Sequence, residues 1–333
     1  MNLLSTTGSQ RIGLGCMNLS HAYGTPPDVD ASERLLLTAV DAGVTLFDTA
    51  ALYGFGANET LVGRVLKGHR SRIVLCSKGG MTGQPVGPGG ALQRVIDGKP
   101  DAIRRDVEDS LRRLQTDVID LYYLHRWHKV VPIEDSVGAM AEFVRTGKVR
   151  AIGLSEVSAA MLKRAQAVHP IAAVQSEYSP WSREAEIAVL QACRETGAAY
   201  VAFSPLGRGF LTAAPPDPAA LDAKDIRRSM PRFTAAADAA NRALLTQFQA
   251  VAAGLGITPA QLALAWVLSR GEHVLAIPGT TQIAHLHDNL GAAEVVLPPA
   301  AVARVDALFA PGAVTGGRYS AASQAEVDTE QFA

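Results

Sequence analysis

Four residues able to do acid–base chemistry stand at the ends of short apolar runs. The run Val44-Thr45-Leu46-Phe47 meets Asp48, and Tyr53 follows five residues on. A second run meets Lys78, and a third ends in His125. Each has an ordinary explanation alone: a capping acid, a packed ring, a solvated lysine, a hydrogen-bonded histidine. Together they fit proton donation to a carbonyl oxygen. A free phenol, with a pKa near ~10, is a poor acid at neutral pH. An ammonium about 4 Å away favours the phenolate by roughly 4 kcal/mol at an effective dielectric of ~20. That would lower the phenol's pKa by about 3, less what an acid beside the lysine takes back. On this reading Asp48 keeps Lys78 charged and in place, Lys78 lowers the Tyr53 phenol, and His125 directs the carbonyl oxygen. A Schiff-base lyase is the second reading of a lysine at a strand end. Asp48 and Tyr53 speak against it, because a charged, ion-paired lysine is a poor imine former.

Chemistry of this kind needs a scaffold that brings distant residues to one face. Apolar runs at 12–16, 45–48, 73–77, 119–125, 151–154, 173–175, 199–203 and 274–277 read as strands. Amphipathic stretches at 31–42, 58–67, 102–114, 135–146, 158–168, 184–195 and 259–269 read as helices between them. Thr258 before Pro259 is a helix start, and Gly43, Gly147 and Gly197 follow helices where a left-handed cap belongs. Eight such repeats without a break in composition predict one α/β domain over residues 1–333. The expected fold is a (β/α)8 TIM barrel with long loops at its C-terminal face, where chemistry sits in such barrels. A doubly wound sheet would announce itself by GxGxxG after the first strand. The segment Gly13-Leu14-Gly15-Cys16-Met17-Asn18 lacks the third glycine and runs into no helix. Residues 79–100, 207–238 and the polar tail after Pro311 exceed what a barrel needs. They read as lids or as solvent-exposed insertions.

Composition narrows the partners. Hydrophobic residues at 48% with 19% charged ones suffice for a large core in a chain of 333 residues. A net charge of −1 without a dense basic patch argues against nucleic acid. The start MNLLSTTGSQ is no signal peptide, and no run reaches the roughly 18 apolar residues of a membrane span. Cys16, Cys76 and Cys193 are expected as buried free thiols of a cytoplasmic protein, and no spacing suggests a metal. The oligomeric state is not encoded in any feature of this kind.

The segments GLGCMNLS (13–20), FDTAALYG (47–54), SKGG (77–80), DLYYLHR (120–126), IGLSE (152–156), QSEYSPWSRE (175–184), AFSPLGRGFL (202–211) and IPGTTQIAHLHDNL (277–290) resemble the aldo-keto reductases, in order, from about residue 10 to 310. The later segments and RRSMPRF resemble the bacterial, yeast and plant branch that includes pyridoxal reductases and auxin-induced-type reductases. The resemblance implies a TIM barrel that binds NADPH without a Rossmann motif, and a small-molecule aldehyde or ketone as substrate. It places the catalytic tetrad on Asp48, Tyr53, Lys78 and His125. It implies that Ser155, Glu156 and Gln175 hold the nicotinamide carboxamide, with Glu156 standing where the family usually has asparagine. It puts Phe203 against the nicotinamide face and Ser204, Leu206, Gly207 and Arg208 in the pyrophosphate loop. It puts Gly279, Thr280, Thr281, His285, Asp288 and Asn289 at the adenosine end. No lysine or arginine stands there for the 2′-phosphate, so NADPH is expected over NADH by a smaller margin than in arginine-bearing relatives. Tyr23, Trp127 and Trp181 follow strand ends and read either as walls of an apolar substrate pocket or as core-packing or rim residues. No arginine pair is recognisably placed for a substrate carboxylate or phosphate. The intact tetrad argues against a non-catalytic sensor role of the kind some relatives play.

Overall fold

The computed structural model describes Leu4 and residues 8–20, 22–87 and 89–332. The N-terminal stretch weighed above as a signal peptide lies largely outside the described residues. Eight parallel strands form one sheet: β1 (Leu14–Gly15), β2 (Leu46–Asp48), β3 (Val74–Gly79), β6 (Ile119–Leu124), β7 (Val149–Ser155), β8 (Ile171–Glu177), β9 (Ala199–Phe203) and β10 (Val274–Ala276). Isolated bridges pair Ile12 with Ala276 and Gly15 with Gly279, so the first strand meets the last and the ring closes. The barrel expected from the strand–helix alternation is the fold observed. Gly15 serves this closure, and Gly13 serves the approach to β2. A Cβ at Gly13 would lie 2.8 Å from Leu46 O, and one at Gly15 would lie 2.8 Å from Ile277 O.

Every other residue of a strand faces the barrel interior. Leu46, Cys76, Leu121, Tyr123, Ala173, Val201 and Leu275 pack together there. Their strand neighbours Phe47, Leu75, Tyr122, Val174 and Tyr200 pack outward against the helices. Continuing the inner register by two residues gives Asp48, Lys78, His125, Gln175, Phe203 and Ile277. The same alternation that fills the core therefore brings these side chains to the carboxyl mouth of the barrel.

The outer ring comprises α1 (Val29–Asp41), α2 (Ala57–Leu66), α3 (Pro100–Leu114), α4 (Ile133–Arg145), α5 (Ala159–Gln166), α6 (Val189–Thr196), α7 (Ala235–Gly254), α8 (Pro259–Leu268), α9 (Ile283–Gly291) and α10 (Pro299–Leu308). Thr258 caps α8 in a reciprocal capping box with Gln261. The helix expected over 184–195 is split. A 3-10 turn at Glu184–Glu186 is tied by Arg183 and Tyr178 to Glu186, and α6 starts only at Val189.

The long insertions are more ordered than their composition suggested. Residues 79–100 hold an antiparallel hairpin, β4 (Met81–Val86) with β5 (Ala91–Ile96). β5 is mostly exposed, so no apolar alternation advertised it. The stretch 207–238 passes through short 3-10 turns, and α7 begins inside it at the Thr234 cap. The tail carries a short helix, α11 (Ala321–Ala325), and folds back on the barrel mouth. Cys16, Cys76 and Cys193 are buried free thiols. No single described helix is long and apolar enough to cross a membrane.

Candidate active site

Lys78 is buried at the end of β3 and donates to three oxygens. They are Asp48 Oδ1, Thr49 O at 2.9 Å and the Tyr53 hydroxyl at 3.2 Å. Asp48 is filled from its other side by Gln175 Nε2 at 2.7 Å. Burial lowers the Lys78 pKa, and Asp48 together with Tyr53 more than reverses that, so the ammonium sits above its ordinary value. For Tyr53 the balance runs the other way. Loss of hydration raises the phenol, Lys78 lowers it, Asp48 raises it again, and the net result lies above the ordinary value. The lowered phenol expected from the sequence is thus corrected, because burial outweighs the lysine's pull. The ring keeps part of its surface toward the cavity, so water there tempers the rise. The His125 ring stands edge-on to the Tyr53 ring, with centroids 5.8 Å apart and planes at 85°.

The turn that aims Tyr53 is unusual. Gly54, Phe55 and Gly56 all adopt positive φ, at 56°, 52° and 95°. Buried polar residues of α2 pin it. Asn58 donates to Cys16 O at 2.9 Å and accepts from Thr49 Oγ1 at 2.6 Å. Glu59 accepts from Ser77 Oγ and from Arg113 Nε. Neither residue carried a motif that singled it out in the sequence.

Above the four residues lies a cavity of about 850 Å³. Asp48, Tyr53 and His125 line one end, with Lys78 buried beneath them. Ser155, Gln175, Phe203, Ser204, Leu206 and Arg208 line the middle. Gly279, Thr280, Thr281, His285, Asp288 and Asn289 line the far part, at and beyond the start of α9. Tyr23 is also in the wall, and its hydroxyl accepts from Arg208 Nη1 at 3.2 Å.

Besides the buried Lys78, four expected site residues lie off this wall. Both Glu156 oxygens accept from Arg318, at 2.8 Å each, and Glu177 N donates to one of them at 3.0 Å. The carboxylate is thereby held buried and away from the cavity wall, out of reach of an amide ligand there. Gly207 is buried under Trp181, whose ring would lie 2.9 Å from an added Cβ. Trp181 stacks on Phe210 at 4.0 Å and is buried. Trp127 donates its indole N–H to Val131 O at 2.8 Å and packs on the outer core. Conversely, the wall includes residues the sequence reading passed over: Arg126, Arg94 of the hairpin, and Tyr319, Ser323 and Glu326 of the tail. Arg126 directly follows His125, which was the available signal. The tail residues gave none.

An elongated ligand with a flat ring and anionic groups suits these surroundings. Phe203 offers a ring face. Ser204 and Arg208 adopt positive φ in a loop tight against the cavity. Gln282 caps α9 without a side-chain bond, so the first N–H groups of that helix remain for an anion. Thr258 donates to both Asp288 oxygens, at 3.1 and 3.0 Å, and so holds that carboxylate in the wall. A Cβ at Gly279 would lie 3.0 Å from Asn18 Oδ1, so this is a close crossing. Among the described residues no cluster of His, Cys, Asp and Glu is placed to hold a metal ion.

The Aldo/keto reductase family model matches residues 11–310. The chain is 42% identical to aldo-keto reductase yakc [NADP(+)] of Schizosaccharomyces pombe over 325 residues, 96% of this chain and 94% of the relative. It is 40% identical to probable aldo-keto reductase 1 of Glycine max, over 95% and 90% of the two chains. Among solved structures it resembles the glycerol dehydrogenase AKR11B4 from Gluconobacter oxydans, with a TM-score of 0.82 at 28% identity over 90% and 91% of the chains. It also resembles an aldo/keto reductase from Klebsiella pneumoniae in complex with NADP and acetate, with a TM-score of 0.70 at 29% identity over 96% and 99%.

The Glu156–Arg318 pair fastens the tail to the barrel. Burial raises the Glu156 carboxyl, and Arg318 with Arg126 more than reverses this, leaving it below the ordinary range. Removing one partner strands the other, so Arg318→Met is expected to destabilise the fold by about 3–5 kcal/mol at neutral pH. A depressed carboxylate stabilises above its unfolded pKa, near ~4.3, and loses that contribution as pH falls through its folded value. Denaturant titrations at neutral and strongly acidic pH should therefore show the gap between wild type and Arg318→Met narrowing in acid. A gap that stays constant would contradict the pairing.

Proposed function

The chain belongs to the aldo/keto reductase family, and on that footing we propose that it reduces a small aldehyde or ketone to the alcohol with NADPH. The observation that carries the reading is the buried Lys78 ammonium, bonded to both the Asp48 carboxylate and the Tyr53 phenol under the cavity. The chemistry supplied by bound NADPH is hydride donation to the carbonyl carbon. Tyr53 donates its proton to the carbonyl oxygen. Lys78 stabilises the phenolate that this leaves, and Asp48 keeps Lys78 charged. His125 donates a hydrogen bond to the same oxygen and sets its direction. Phe203 packs the nicotinamide face, while Ser155 and Gln175 hold its carboxamide. Ser204, Leu206 and Arg208 take the pyrophosphate. The start of α9 with Thr280 and Thr281 takes the adenosine phosphate, and His285, Asp288 and Asn289 wall that end. Glu156 is given a different role from that expected, as the anchor of the tail.

A phenol held above its ordinary pKa is protonated throughout the neutral range, which is the form that reduction needs. Activity is then full below that pKa and lost as pH rises through it. Reduction should be flat across neutral pH and decline only in the alkaline range. The lyase reading meets an ammonium held above its ordinary pKa, unsuited to imine formation. We further read residues 1–333 as one domain. In support, Arg318, Asp328 and Glu330 of the tail all bond to the β7–α5 segment. Three buried free thiols fit a cytoplasmic setting.

Tyr53→Phe keeps the ring and removes the proton. It is expected to lower kcat by about 10²–10⁴ while leaving NADPH binding nearly unchanged. Steady-state rates alongside fluorescence titration of the cofactor test this, and a wild-type kcat in the variant would overturn the assignment.

Cofactor preference follows from the far end of the cavity. The helix start contributes about 0.3–1 kcal/mol toward a phosphate, and each uncharged hydrogen bond adds ~0.5–1.5 kcal/mol. A sum of roughly 1–3 kcal/mol gives NADPH an advantage between about fivefold and a few hundredfold. Titrating both reduced cofactors by quenching of intrinsic fluorescence measures it. NADH binding as tightly as NADPH would show that this end does not read the 2′-phosphate.

A further inference from the structure

Four arginines line the cavity: Arg94, Arg126, Arg208 and Arg227. Three are neutralised by carboxylates. Arg94 forks onto Glu326 at 2.6 and 2.7 Å. Arg208 meets Glu177 at 2.6 Å, and Arg227 meets Asp225 at 2.6 Å. Among the described residues, no carboxylate lies within ion-pairing distance of Arg126. Its Nη1 donates to His125 O at 2.9 Å and to Ser155 Oγ at 3.2 Å. No hydrogen bond joins its Nε or Nη2 to a described residue. Neither atom is among the fully buried polar atoms without a partner, and Arg126 lines the cavity.

The surrounding acids are already in use. Arg318 occupies both oxygens of Glu156, Lys78 and Gln175 share Asp48, and Arg208 takes Glu177. Arg126 is half-buried and partly stripped of water, which costs free energy unless an anion completes it. A guanidinium edge with two donors in one plane matches a carboxylate in bidentate fashion. Its location selects which anion. Arg126 is held by the backbone of His125 and the hydroxyl of Ser155, at the carbonyl end of the cavity. The segments suited to cofactor phosphates, 204–208 and the start of α9, are built from other residues.

We propose that Arg126 binds a carboxylate carried by the substrate, so that the preferred substrates are aldehydes or ketones bearing an acidic group. The inference deepens the carbonyl-reductase reading and rests on it. Where the sequence offered no arginine pair for such a group, the fold offers a single arginine that no described carboxylate touches, although Glu156 lies within its electrostatic reach.

The test compares 2-, 3- and 4-carboxybenzaldehyde with their methyl esters, using NADPH and wild type, Arg126→Met and Arg126→Lys. In wild type at least one acid should have a higher kcat/KM than its ester. In Arg126→Met the acid-to-ester ratio should fall roughly 10- to 100-fold, mainly through KM of the acid. Arg126→Lys should give an intermediate ratio, because a point charge replaces the fork. An unchanged ratio with both substrates slowed alike would overturn the proposal and make Arg126 a positioning residue for Tyr53. An unchanged ratio with weakened NADPH binding, read by fluorescence titration, would overturn it in favour of a cofactor contact. If wild type reduces neither acids nor esters, the carbonyl-reductase reading itself falls and takes this inference with it.

Discussion

A lysine ammonium buried against one carboxylate is the constraint around which this barrel mouth is arranged. Burying either charge alone would cost several kcal/mol, and removing one partner of such a pair costs about 3–5 kcal/mol. The cost is offset because nearly every bonding position is filled. Asp48 receives Lys78 on one oxygen and Gln175 on the other, and Lys78 also donates to Thr49 O and the Tyr53 hydroxyl. The pair spans β2 and β3, and Gln175 reaches it from β8, so three strands must keep their register for it to exist. Tyr53 is the member farthest from a strand in the chain. It is aimed by a turn of three positive-φ residues that Asn58 and Glu59 hold down.

A second buried network closes the opposite wall. Glu156 adopts positive φ where β7 ends, and this turns its carboxylate toward Arg318 of the tail rather than toward the cavity. The next link is Glu177, which Arg208 reaches at 2.6 Å, and Arg208 in turn donates to Tyr23 and to Tyr319. The tail is therefore part of the wall, and the hairpin joins it through Arg94 and Glu326. Against this background of direct ion pairs Arg126 stands apart in touching no described carboxylate, which is why it carries the substrate proposal.

Much of the architecture could be read from the chain itself. Short apolar runs alternating with amphipathic helices specify a parallel sheet, and eight of them suffice to close it. Asp48, Lys78 and His125 were legible because each continues an inner-facing strand register by one step. What escaped depended on distance or on burial. The hairpin in 79–100 was hidden by glycine, proline and an exposed β5. The tail's role rests on contacts such as Arg318 with Glu156, 162 positions apart, which no local pattern announces. Trp127 and Trp181 follow strand ends, which left pocket wall and core packing equally open, and the fold draws both rings into packing. The sign of the Tyr53 shift was misread because the lysine's pull is visible in a sequence and the loss of hydration is not.

The most direct measurement of the account is kcat for reduction as a function of pH in wild type and in Lys78→Met, on protein whose NADPH binding has been verified. In wild type, kcat is expected to be flat through neutral pH and to fall only in the alkaline range. Without the ammonium the phenol's pKa rises further, the phenolate loses its counter-charge, and the same reasoning predicts a large drop in kcat. Any remaining activity should decline at higher pH than in wild type. A Lys78→Met enzyme that binds NADPH, keeps the wild-type kcat and shows the same pH profile would contradict the claim that the Asp48–Lys78 pair governs the acid.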